Sequence, residues 1–216
     1  MNIKRFLDRI IAAVSTAAVV IQPVFAQTVV TSPDGSDLNA GSGNGVPLVM
    51  IEGADPDGVS HNLFGQFDVG SEGLILNNNA TNGVVMTDLG GLIVPNANVT
   101  GNAASVILNE VTGANASRLL GALEVGGTAA DVIVANPYGI TCDGCGFLNT
   151  GHLTLTTGTP SYAGDVFTGF SIEDGSIAIG EGGADATGAL SFGLLSRQLE
   201  VGGPVAGQAI RVVLGR

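Results

Sequence analysis

The residues with the most distinctive chemistry are the only two cysteines, Cys142 and Cys145, in the run Thr-Cys-Asp-Gly-Cys-Gly. That spacing serves three chemistries: a redox Cys-x-x-Cys opening a helix, half of a zinc site, or a local disulfide. A redox pair calls for a thioredoxin-like α/β unit, and none is visible along the chain. A zinc site needs four ligands, and only His61 and His152 remain to complete one, with nothing in the sequence to bring them together. His152 opens an alternating stretch and reads as a surface residue; His61 could cap a turn near the first coil, with a core or surface role as the default for either. Solenoid lyases and hydrolases work with carboxylate clusters, or with calcium beside a basic residue. Here Asp55 and Asp57 sit in a Pro-Gly turn and Glu173-Asp174 precedes a glycine, and neither pair has a partner acid or base. Gly182-Gly183-Ala184-Asp185 is a lone echo of a calcium-binding β-roll repeat. No catalytic residue, metal site or cofactor is therefore expected.

The N-terminus decides the compartment. Lys4, Arg5 and Arg9 precede an apolar stretch from Ile10 to Ile21, and Val24-Phe25-Ala26 offers small residues for cleavage before Gln27. That order is a Sec signal peptide over 1–26, with a core too short for a comfortable membrane span. Export makes a local disulfide the natural reading of Cys142 and Cys145. The leader holds three of the seven basic residues and one of the nineteen acids, so residues 27–216 carry four arginines, no lysine and eighteen acids. Nucleic-acid binding needs clustered cations and is excluded.

The elements that must position these residues are β-strands. Short apolar runs such as Leu74-Ile75-Leu76, Val106-Ile107-Leu108 and Val132-Ile133-Val134 alternate with Gly-Asn, Asp-Gly and Asn-Gly pairs. Those pairs turn the chain at little steric cost. Apolar residues on consecutive positions indicate strands covered on both faces. Two all-β architectures fit: a hairpin-joined sandwich and a parallel solenoid. The pattern favours the solenoid, although no strict repeat length emerges. Asn77-Asn78-Asn79 suits amide stacking between successive coils, and Asn115–Leu120 is the one stretch with a weak helical reading.

Four separated segments carry a family resemblance. Ser60-His61-Asn62-Leu63-Phe64-Gly65-Gln66-Phe67-Asp68-Val69-Gly70, Glu72–Asn78 and Val106–Gly113 come first. The strongest is Val132–Thr150, containing Asn136-Pro137-Tyr138-Gly139-Ile140 and the cysteine pair. Together they resemble the two-partner secretion, or haemagglutination activity, domain of filamentous-haemagglutinin and contact-dependent-inhibition exoproteins. The likeness runs over residues 46–214. Position 138 is Tyr where the family usually has Asn, and the family's upstream Asn-Pro-Asn-Leu stands here as Asn96-Ala97-Asn98-Val99.

The resemblance implies a right-handed parallel β-helix with small extra-helical β elements over 27–216, and no enzymatic activity. It implies transit through the Sec translocon and periplasm of a Gram-negative bacterium, and recognition by an outer-membrane β-barrel transporter with POTRA domains. The product is secreted or held at the cell surface, where a host cell or neighbouring bacterium is a further partner. The recognition or folding motif carries over to Asn96, Asn98, Asn136, Pro137, Tyr138, Gly139 and Ile140. Physically, Pro137 fixes φ, Asn136 can bond its own backbone and Gly139 permits positive φ, so the segment forms a tight corner. A corner alone and a docking motif both remain open. Val212-Val213-Leu214 would leave a last coil uncapped, which points to a fragment of something longer. The alternatives are a small stand-alone surface adhesin and a truncated remnant.

Overall fold

The structure is a computed structural model that describes residues 27–42, 44–163 and 166–215; the signal peptide expected over 1–26 lies outside the described residues. Among them the chain is built from strands, and no helix is long and apolar enough to cross a membrane.

Each coil of the solenoid contributes one short strand to each of up to three parallel sheets. β1 (Val29–Thr31) precedes the first coil, which holds β2 (Leu48–Met50), β3 (Val59–Phe64) and β4 (Gln66–Asp68). The second coil holds β5 (Leu74–Asn78), the paired strands β6 (Val85–Thr87) and β7 (Gly91–Ile93), β8 (Val106–Val111) and β9 (Ser117–Leu119). The third holds β10 (Ala122–Gly127), β11 (Ala130–Ala135) and β12 (Ile140–Cys142). The fourth holds β13 (Cys145–Leu148), β14 (Thr150–Thr156), the paired strands β15 (Thr159–Ala163) and β16 (Val166–Ser171), and β17 (Ser176–Ile179). Then follow β18 (Ala184–Ala186), β19 (Ser191–Ser196) and β20 (Gln198–Val201), and lastly β21 (Val205–Gly207) and β22 (Ile210–Leu214). The first sheet runs β2-β5-β10-β13-β18-β21, the second β3-β8-β11-β14-β19-β22, and the third β9-β12-β17-β20.

The core is a set of columns running along the solenoid. In the second sheet Ile107, Val132, Leu153 and Phe192 are in direct register, and in the third Leu119, Cys142 and Ile179. All of these are fully buried, and each large aliphatic contributes about 1.5–3 kcal/mol over exposure. The consecutive apolar residues of β5 have the expected cause, because both of its faces are covered. Leu74 and Leu76 point into the core, while Ile75 packs outward with Leu48 and Ile93 beneath the β6–β7 hairpin. At one end β1 pairs antiparallel with β4, and Val30, Phe64 and Phe67 close the core there.

The absence of a repeat length in the sequence has a physical reason. Register partners fall 27 residues apart from Leu48 to Ile75, 24 from Leu123 to Phe147 and 21 from Ala184 to Val205. The second and fourth coils carry inserted hairpins, which stretch those spacings to 49 (Leu74 to Leu123) and 39 (Cys145 to Ala184). Two local expectations are corrected. Ser117–Leu119 is a strand of the third sheet, because Ser117 and Leu119 stack on Ile140 and Cys142 and that burial outweighs a weak helical preference. Asn77 and Asn78 face Met50, Gly126 and Gly127, so they form no amide ladder. The stacked pair is Asn62 on Asn109, inside the second sheet.

Candidate functional site

The motif residues form two corners with one hydrogen-bond grammar. At the first, the Asn96 amide nitrogen donates to the carbonyls of Ile51 (2.9 Å) and Asn77 (2.8 Å). Its Oδ1 accepts the backbone N–H of Asn98 at 3.0 Å, its own N–H donates to the Asn79 carbonyl and its carbonyl accepts from Val99. At the second, the Asn136 amide nitrogen donates to the Asn115 carbonyl and to Ser117 Oγ, both at 3.0 Å. Its Oδ1 accepts the N–H of Tyr138 at 2.9 Å, its N–H donates to the Thr156 carbonyl and its carbonyl accepts from Gly139. Each asparagine thus turns its own strand and ties it to neighbouring coils. Asn136 joins the second, third and fourth.

Burial separates the remaining members. Asn96 and Asn136 are 3% and 0% exposed, so their amides are spent on the fold, while Tyr138 is 55% exposed. Gly139 sits at φ 117°, a conformation that disfavours side chains, and a Cβ there would come within 3.2 Å of the Ser176 carbonyl. Ile140 is buried between Ser117 and Ile177. Asn98 is exposed, and its side chain makes only long contacts to the carbonyls of Met50 (3.4 Å) and Ile51 (3.3 Å). Pro137 and Tyr138 border a groove of about 590 Å³ that also includes Pro160, Glu173 and Asp174.

Cys142 and Cys145 form a disulfide across the corner between β12 and β13, with Cα atoms 5.4 Å apart and both residues buried. Among the described residues no group of three or more His, Cys, Asp or Glu is placed to hold a metal ion. His152 is exposed and lies 2.8 Å from Ser191 Oγ. His61 takes the surface role and not the turn or cap. It lies within β3, facing outward, with Nε2 2.7 Å from a Glu110 carboxylate oxygen on the next coil.

Sequence reasoning missed two asparagines with the same corner role, Asn78 and Asn149, and one buried carboxylate within β10 that holds a hairpin. Asn78 donates to the carbonyls of Ala104 and Thr128, each at 2.9 Å, and accepts from the Ala104 N–H. Asn149, at φ 52°, donates to the carbonyls of Val125 (2.7 Å) and Gly127 (3.0 Å). Buried Glu124 accepts the N–H groups of Asp88 (2.7 Å) and Leu89 (2.8 Å), holding the tip of the β6–β7 hairpin. The available signal was positional: an asparagine at the end of a short apolar run.

The described residues form a parallel β-helix with hairpins inserted into two coils and asparagine corners linking them. The TPS secretion domain family model matches residues 26–216, and the chain belongs to that two-partner secretion family. It is 48% identical to the tRNA nuclease CdiA of Yersinia mollaretii over 90% of this chain and 6% of that protein. It is 43% identical to the filamentous hemagglutinin of Bordetella pertussis over 81% of this chain and 5% of that protein. Among solved structures, the filamentous hemagglutinin secretion domain superposes with a TM-score of 0.77 and 39% identity, covering 88% of this chain and 64% of that one. The chain spans about 5–6% of the length of the CdiA and filamentous hemagglutinin relatives. A TPS secretion domain has a non-enzymatic role, targets an exported protein for secretion or cell-surface display, and works with a partner transporter. The nuclease name belongs to the whole relative.

Proposed function

We propose that this domain directs a large adhesin-like or haemagglutinin-like exoprotein through the outer membrane, and that its transporter reads the chain while it is still extended. The observation that carries this reading is the burial of Asn96 and Asn136, whose amide hydrogens and Oδ1 atoms are all occupied within the fold. Such side chains are available to a partner only before folding. In this reading the leader over 1–26 takes the chain through the Sec translocon. In the periplasm, strands not yet paired add to a sheet edge of the transporter's POTRA domains. The disulfide spans only Cys142 to Cys145, so it ties no distant segments together and is compatible with threading through a β-barrel. Outside the cell the Asn136 corner, which joins three coils, nucleates the β-helix, and the exposed product meets a host cell or a neighbouring bacterium.

The test expresses the chain with and without a cognate transporter in a Gram-negative host and assays the medium. Binding of urea-unfolded chain to isolated POTRA domains is measured alongside. Transporter-dependent release, with Asn96→Ala and Asn136→Ala both losing POTRA binding, supports recognition by these motifs. Release lost with POTRA binding intact assigns the corners to folding alone. No release with an active transporter overturns the secretion role.

A further inference from the structure

The outer face of the second sheet carries a groove that the secretion role leaves unused. Its volume is about 370 Å³, and Val106, Leu108 and Ile133 form its floor. One wall comes from the β15–β16 hairpin, through Tyr162 and Phe167, and His61 of β3 stands opposite. The two rings meet edge to face with centroids 5.8 Å apart, and Tyr162 lies over His61 at 6.3 Å. Both hairpin aromatics remain more than two-fifths exposed, which is costly for a hairpin that only needs to pack.

The rim is acidic. Asp55 and Asp57 line the groove, Glu110 adds its carboxylate behind His61, and no lysine or arginine lines it. The phenol of Tyr162 registers this field: its pKa is raised by burial and by the negative charges of Glu110 and Asp55.

These features select one ligand chemistry. Anions are repelled by the rim. A neutral apolar group would gain nothing from the carboxylates. A primary ammonium carries three donor protons, and over the floor of Val106, Leu108 and Ile133 those not taken by the rim carboxylates would be left unpaired. A methylated ammonium has no donor protons, presents its charge through methyl groups and is attracted by both aromatic faces and carboxylates. We propose that this groove binds a quaternary ammonium group of the choline type, either free in solution or as the phosphocholine headgroup of a lipid. The site is independent of transporter recognition.

The experiment titrates the folded chain with choline and with its uncharged carbon isostere 3,3-dimethylbutanol, following tyrosine fluorescence and the His61 ring resonances by NMR. Choline is expected to bind with a Kd of about 1–10 mM and the isostere roughly tenfold more weakly. Tyr162→Ala and Phe167→Ala each weaken choline binding about fivefold. Asp57→Asn weakens it about threefold, and Asp55 is left intact because it caps the turn at Asp57 and Val59. These variants lie outside the core, and an unchanged far-UV spectrum and urea midpoint certify their folding. Co-flotation with phosphatidylcholine but not phosphatidylglycerol vesicles, competed by choline, assigns the lipid headgroup. Binding of free choline without flotation assigns a soluble ligand. Equal affinity for choline and its isostere, no saturable choline binding, or wild-type affinity in the folded aromatic variants would overturn the proposal.

Discussion

At the residue scale, Asn136 and Asn98 show how asparagines of the two corners differ in consequence. Asn136 is fully buried with both amide hydrogens and Oδ1 engaged. Asn136→Ala strands the buried Ser117 hydroxyl and removes the partner of the part-buried Asn115 carbonyl and Tyr138 N–H. At about 1–3 kcal/mol for a buried group left unpaired, with partial relaxation, the variant should lose about 3 kcal/mol. Asn98 is exposed, with only long side-chain contacts, so Asn98→Ala should cost about 0.5 kcal/mol. Urea unfolding of both variants checks the contrast. Equal losses would show that the Asn136 network is weaker than its geometry indicates.

At the element scale, the disulfide acts on one corner. Cys142 closes β12 in register with Leu119 and Ile179, and Cys145 opens β13 beside Ala184. The loop it closes is so small that the chain-entropy model gives about 2 kcal/mol. Replacing both cysteines with alanine should therefore lower the melting temperature by about 4–8 °C while leaving the β-helix intact. Calorimetry combined with far-UV circular dichroism checks both halves of that statement; loss of β signal at low temperature would make the bridge essential to the fold. The strand runs, the Asn136 corner and the cysteine pair were legible in the sequence because each is a local pattern read over a few residues. The coil period was hidden because hairpins are inserted in two of the coils. The roles of Asn77 and Asn78 were hidden because they depend on which residues lie across the coil, namely Met50, Gly126 and Gly127. The meeting of His61 with Tyr162 is a contact between the first and fourth coils, and no local pattern announces it.

At the scale of the whole molecule, a solenoid distributes stability unevenly, because each coil touches only its neighbours. The strands β11 and β14 are hydrogen-bonded on both sides, and Val132, Val134, Leu153 and Leu155 within them are essentially buried. Further along, β19 is still anchored by Phe192, which packs 6.1 Å from Phe147. In the described structure β22 pairs only with β19, and Ile210, Val212 and Leu214 are about half exposed. Opening β20 to β22 therefore exposes little surface that is not already wet, whereas opening β11 breaks two ladders and empties the centre of the core. Amide hydrogen exchange should accordingly show a gradient. The slowest amides should lie in β8, β11 and β14, β19 should be intermediate, and β20 to β22 should exchange at least a hundredfold faster than β11. Protection of β22 equal to that of β11 would mean that the coils unfold as one cooperative unit. The neighbour-by-neighbour account of this solenoid would then fail, and with it the expectation that folding can spread outward from the Asn136 corner one coil at a time.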